Sequence, residues 1–367
     1  MGRTKNLRDR LDGLGAHWSE EATYEVVEHY GDPRGEYDAV GDGGLAIVER
    51  GERETLVVYG PDAIPWLQGL VTGDLHELVD EGNGQRNAWV NTTGRFVGEA
   101  RLLHLPELLF FDLEAGTLGN GLMSHLRRHI ILEDVTLDDR SDASARITLV
   151  GEPAAAALEE LAEWQHDIAE RPPFFGTWGR WKGEDLILQR QVWSDLPCFD
   201  VTCDVAAAEA LIEALRQLDD GAVMMGRQAF EILRIEAGVP RFGVELHEKV
   251  IPLEAAFDDA VAYDKGCYLG QEIIARLDTL GTPAKLLRRV ILEGDDVPEP
   301  ETEVFPADGK GRKIGHVESA VMSPRFDAPL ALAFVKRGHN DVGAQVRIGE
   351  AKGRLEALKQ IGAPDSE

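Results

Sequence analysis

Lys265-Gly266-Cys267-Tyr268-Leu269-Gly270-Gln271-Glu272 sets an amine, a thiol, a phenol, a carboxamide and a carboxylate around two glycines. Neither a helical nor an alternating apolar pattern runs through it, and glycine permits backbone geometry that gathers polar side chains at one point. The octapeptide therefore reads as part of a site, against the plainer reading of a polar turn with an incidental cysteine.

Outward from it the chain alternates sheet and helix. Residues 43–59 read as strand, turn, strand: LAIVER, the polar GERE, then TLVVYG. Pro61-Asp62-Ala63 opens a helix in which Trp66, Leu67 and Leu70 keep helical spacing and Gly69 and Gly73 loosen the end. Strands are expected at 86–91, 99–105 and 108–113, with a helix over 118–129. After a polar stretch near 138–145 the habit repeats: ARITLVG, an Ala-rich helix over 153–162, strands through DLILQRQ and CFDVTCD, and a helix over 206–218. Beyond Pro283 the short strands and Gly-rich turns of EVFPADGKGRKIGHVES and APLALAFVKR suggest a small β-barrel. The expected fold class is α+β, two sheet-and-helix units followed by a barrel. The boundaries read as an N-terminal extension at 1–35, a first lobe at 36–140, a second at 141–283 carrying the octapeptide, and the barrel at 284–367.

A chain of 367 residues, 43% hydrophobic, can build two or three cores. No apolar run approaches the about 18 residues of a membrane span, and MGRTKNLRDR lacks the apolar centre of a secretory signal, so a soluble cytoplasmic protein is expected. Gly2 follows Met1, but Asn6 stands where a myristoylation signal needs Ser or Thr. Cys198, Cys203 and Cys267 make no disulfide framework, and with no HExxH or compact His/Cys array no metal is expected. His125 and His129 read as surface decoration. The net charge of -28 would repel nucleic acid and anionic membrane, so neither is expected as a direct partner. Acid spread evenly, with far fewer Lys than Arg, also fits a halophilic cytoplasm whose salt screens the repulsion.

Four stretches carry a resemblance: Leu67-Gln68-Gly69-Leu70-Val71-Thr72-Gly73-Asp74, the run 127–135 (RRHIILEDV), Arg234-Ile235-Glu236-Ala237-Gly238-Val239-Pro240, and the octapeptide. With Gly315-His316-Val317-Glu318-Ser319 and Ser323-Pro324 they resemble the YgfZ-type folate-binding proteins, sisters of the glycine cleavage T-protein. The resemblance implies a three-lobed cloverleaf with tetrahydrofolate in a central hole. It implies that Glu236 is the carboxylate accepting hydrogen bonds from the pteridine ring, a donor-rich edge that an acceptor complements. The plainer reading of Glu236 is a cap or a salt bridge with Arg234 or Arg241. Tyr268 would stack on the pterin, Gln271 bond its edge, and Arg276 pair with a folate carboxylate, although a solvated helix or strand end explains Arg276 equally.

One stretch departs from the T-protein pattern. T-proteins carry an Asp-Asp pair after a Gly-Gly turn, and here the matching segment reads Gly94-Arg95-Phe96-Val97-Gly98-Glu99-Ala100. Glu99 is shifted by one position, which on a strand turns a side chain to the other face. The resemblance thus implies first a folate-dependent accessory protein that assembles or repairs iron–sulfur enzymes, including those that modify transfer RNA. In that reading Cys267 meets the client or a one-carbon group and Lys265 lowers its thiol pKa. The alternatives are an aminomethyltransferase passing a one-carbon unit from a lipoyl carrier protein to tetrahydrofolate, and a folate-free interaction protein on the same fold. GxxxxGK[ST], GxSxG and GxGxxG are all absent, which disfavours nucleotide and hydrolase chemistry.

Overall fold

The computed structural model describes residues 3–19, 24–78, 80–219 and 221–358. Gly2 and residues 359–367, at the two ends of the expected domain series, lie outside them. Two compact units emerge: Met1–Gln68, Asp74–Asn87 and Ala100–Phe230 form the first, and Gly69–Gly73, Ala88–Glu99 and Glu231–Glu367 the second.

In the first unit LAIVER and TLVVYG become the strands Ala46–Glu49 and Glu54–Tyr59, but in different sheets. Ala46–Glu49 lies between Ser144–Val150 and Val223–Met224 in a seven-stranded sheet. Glu54–Tyr59 lies between Leu108–Leu113 and Thr136–Asp139 in a five-stranded one. The GERE link, read from the sequence as a polar turn, is buried, and ion pairs make that tolerable. Arg50 Nε lies 2.8 Å from Glu52, Arg53 Nε donates to Asp112 Oδ1 at 2.6 Å, and Arg53 and Arg146 also pair with Glu114 and Asp112 respectively. Trp193 receives the guanidinium of Arg101 at 3.5 Å from its ring centre and that of Arg50 at 5.0 Å. Burial and the nearby Arg53 and Arg50 pull the Arg146 guanidinium down to about 9.

The seven-stranded sheet buries Ile47, Ile147, Leu149, Leu188 and Val201 against Leu158 of the helix Ala154–Leu161 and Leu211, Ile212 and Leu215 of Ala208–Leu218. These helices fall where the apolar spacing placed them. Leu7 and Leu11 of the helix Lys5–Gly13, capped by Thr4, are fully buried in the same core.

In the second unit the C-terminal strands close into a six-stranded barrel, in the order Lys285–Leu292, Ala328–Lys336, Gly315–Ser323, Glu303–Pro306, Gln345–Ile348, Ala351–Glu356. The expectation of a mixed α+β chain ending in a small β-barrel holds. The strand Ala328–Lys336 reads as one long apolar run because both its faces are covered. Ala331, Ala333 and Val335 fill the barrel with Val290, Val317 and Leu355, whereas Leu330, Leu332 and Phe334 join Ile235, Leu246, Phe257, Tyr268 and Ile274 in a separate core. Among the described residues no helix is long and apolar enough to cross a membrane.

Asp112 anchors the buried guanidiniums of the first unit, so Asp112→Asn is expected to destabilise the fold by about 3 kcal/mol, the cost typical of breaking a buried pair. Urea denaturation of variant and parent checks it.

Candidate functional site

All the residues that carry the sequence's site hypotheses fall in the second unit. Its short segment Gly69–Gly73 is held by backbone bonds and by two side chains. Thr72 N–H donates to Ala88 O at 3.0 Å, and its hydroxyl donates to Ala260 O at 2.6 Å while accepting from Ala88 N–H at 3.2 Å. Ala262 N–H donates to Thr72 O at 2.9 Å. Lys265 is buried, and its ammonium donates to Val71 O at 2.7 Å and Gly73 O at 2.6 Å and lies 4.9 Å from the centre of the Tyr268 ring. The octapeptide thus closes over Gly69–Gly73, the middle of a motif that the sequence presents separately.

Tyr268 is buried in the apolar core that also contains Ile235, the neighbour of Glu236, and burial pushes its phenol up to about 12. Gly270 has φ +81, and a Cβ there would stand 2.5 Å from Asn91 O and 2.9 Å from Val90 Cγ2. It therefore has to be glycine, which lets the helix Gln271–Leu280 start against the turn at 91–94. Gln271, at the first position of that helix, donates from Nε2 to Lys265 O at 3.4 Å. Arg276 lies on the exposed side of that helix, 3.3 Å from Glu272 one turn back. Cys267 is exposed, whereas Cys198 and Cys203 are buried, with thiols raised by burial, Cys203 to about 12.

Glu236 lies in the helix Arg227–Ala237 and is 3% exposed. Ser323 Oγ accepts Phe326 N–H at 3.1 Å and donates its own proton to Glu236 Oε1, and Arg289 donates to the Glu236 backbone carbonyl. Arg234 is committed to Glu231 and Glu245, at 2.7 and 3.1 Å, and Arg241 lies 3.6 Å from Glu231. Ser323 was legible only as a barrel motif. Nothing in the sequence joined it to Glu236, because a contact across 87 positions leaves no local pattern.

Three further groups were missed. Glu245 is fully buried, accepting from Arg234, from Arg241 N–H at 2.9 Å and from Ser319 Oγ. Glu254, in the Ile251-Pro252-Leu253-Glu254 stretch, is raised by burial, while Ile251 N–H, Lys285 and Arg95 favour its charged form. Glu318 lies 2.8 Å from His316 Nε2 and 3.6 Å from His247 Nε2. Burial opposes its ionisation, but the hydrogen bonds from the two imidazoles outweigh it and hold the carboxyl at about 2. In the first unit His125 and His129 are part-buried, not surface decoration: their rings sit 4.7 Å apart, and burial pulls His125 down to about 4. Glu99 is buried at 2% exposure within the strand Phe96–Leu105.

Residues 7–265 match the family described as GCVT N-terminal domain, and residues 286–361 match the glycine cleavage T-protein C-terminal barrel domain. The chain belongs to the glycine cleavage T-protein family. Among its relatives, an aminomethyltransferase of Halalkalibacterium halodurans is 27% identical over 84% of this chain and 82% of that protein. One from Streptomyces avermitilis is 25% identical over 96% and 94%. The crystal structure of glycine cleavage system aminomethyltransferase T from Bartonella henselae superimposes with a TM-score of 0.86, covering 98% of both chains at 19% identity, which establishes the T-protein fold.

Two glycines of the octapeptide separate backbone necessity from side-chain chemistry. Gly270→Ala is expected to cost about 1–3 kcal/mol by overpacking against a positive φ, and Gly266→Ala, with nothing within 4 Å of its Cβ, close to nothing. Denaturation midpoints compare them. A thiol reagent should find one fast-reacting group in the native protein, abolished by Cys267→Ser.

Proposed function

We propose that this chain is a folate-dependent aminomethyltransferase, taking a one-carbon unit from an aminomethyl group on a carrier to tetrahydrofolate. The observation that carries the reading is the buried carboxylate of Glu236, oriented by Ser323, in a chain whose relatives along most of its length are named aminomethyltransferases.

The donor set suits the ligand. A buried carboxylate accepts from a pterin's amide and amino N–H groups more strongly than a neutral oxygen would. Ser323, already accepting the Phe326 amide, keeps its proton directed at Glu236 Oε1 and so fixes the carboxylate plane. Tyr268 contributes an apolar wall whose phenol stays neutral across the physiological range. Lys265 acts as a positioning residue: with its ammonium on two backbone carbonyls, it holds the loop that carries Tyr268 and Gln271. Tetrahydrofolate, when bound, supplies the nitrogen that accepts the one-carbon unit.

The iron–sulfur maintenance reading rests on the octapeptide and on the exposure of Cys267 alone, and the relatives' names lend it nothing. A halophilic setting rests likewise on composition.

Ammonia release from an aminomethyl-loaded lipoyl carrier protein with tetrahydrofolate decides between them. Release is expected, and Glu236→Gln should lower kcat/KM about tenfold to a hundredfold, the worth of a hydrogen bond to a charged group. Cys267→Ser should leave the rate unchanged. Folate binding without release would overturn the transferase reading.

A further inference from the structure

On the outer face of the barrel, Glu301, His316 and Glu318 bring one ligand atom each to within 4.8 Å of one another. His316 and Glu318 are alternate residues of the strand Gly315–Ser323, with Val317 between them turned into the barrel core. Glu301 approaches from the loop before Glu303–Pro306. It holds a left-handed backbone, φ +66, and its N–H is tied to Val317 O at 2.8 Å, between the two strand ligands.

We propose that Glu301, His316 and Glu318 form a site for a divalent first-row cation of the zinc type. Such an ion binds imidazole nitrogen and carboxylate oxygen at about 2.0–2.2 Å in a tetrahedral shell, so its donors stand about 3.3–3.6 Å apart. The exposed Glu301 side chain has to close by roughly an ångström, within reach of a side-chain rotation. Three protein ligands leave room for water, as in open rather than closed sites.

His247 fits an outer role. Its Nδ1 accepts Lys249 N–H at 3.3 Å, so its proton sits on Nε2, facing Glu318. That proton buttresses the carboxylate, as outer hydrogen bonds do for metal ligands. Lys285, whose charge is felt by both Glu318 and Glu301, competes with an incoming cation for the same carboxylates. The sequence led to an expectation of no metal because no ligand pair here has a recognisable metal spacing: two are strand neighbours and the third lies 15 positions upstream.

Zn2+ titration of the untagged full chain by calorimetry, with Co2+ absorption in the visible as a second readout, tests the site. One equivalent is expected to bind. Glu318→Gln and His316→Ala should each weaken it by at least about a hundredfold, and His247→Ala by about tenfold to a hundredfold. Glu301→Gln, at an exposed position that cannot unfold the barrel, should also weaken it, and Lys285→Met should tighten it severalfold. Binding unchanged in Glu301→Gln and His316→Ala, or no binding at millimolar Zn2+, would overturn the proposal.

Discussion

The ammonium of Lys265 on the carbonyls of Val71 and Gly73 is the contact on which the candidate site depends. A buried cation with two carbonyl acceptors is strong in a low-dielectric setting and leaves costly groups behind if removed. It joins a five-residue segment from early in the chain to a loop that would otherwise have little to define its path. Thr72 repeats the arrangement one layer away, its hydroxyl bridging Ala88 and Ala260. Between them they fix where Tyr268 and Gly270 lie, and hence where the helix Gln271–Leu280 begins.

Much of this was legible as composition and little as contact. Strands and helices followed from apolar spacing, and the barrel from its short strands and turns. The pairing of strands did not follow: LAIVER and TLVVYG looked like a hairpin, and only buried charge, Arg53 with Asp112 and Arg146 beside them, shows why the four residues between them can leave one sheet for another. Periodicity reports which face is apolar, and an ion pair across 59 positions has no period. The polar neighbourhood of Glu236 was hidden for the same reason. The motifs could be picked out one by one, but that two of them were two sides of one contact required coordinates.

The octapeptide's chemistry also shifts in weight. A lysine two residues from a cysteine suggests an activated thiol, yet here the ammonium is buried on backbone oxygens while the cysteine faces solvent. The mixture of side chains that made the segment stand out serves largely to position it, and Glu236, the carboxylate proposed to hold folate, lies on another element.

The second unit is assembled from pieces far apart in sequence, and that has a consequence in time. As the chain is synthesised, Val71 and Gly73 emerge 194 and 192 residues before the lysine that pins them, and Glu236 emerges 87 residues before its serine. Closing such long loops is slow, because chain entropy is lost before any contact is gained. A nascent chain can complete the sheets and helices of its first unit while the Glu236 contact still waits for the barrel strand that carries Ser323. Premature termination before that strand would leave a polypeptide with much of its secondary structure and no oriented carboxylate.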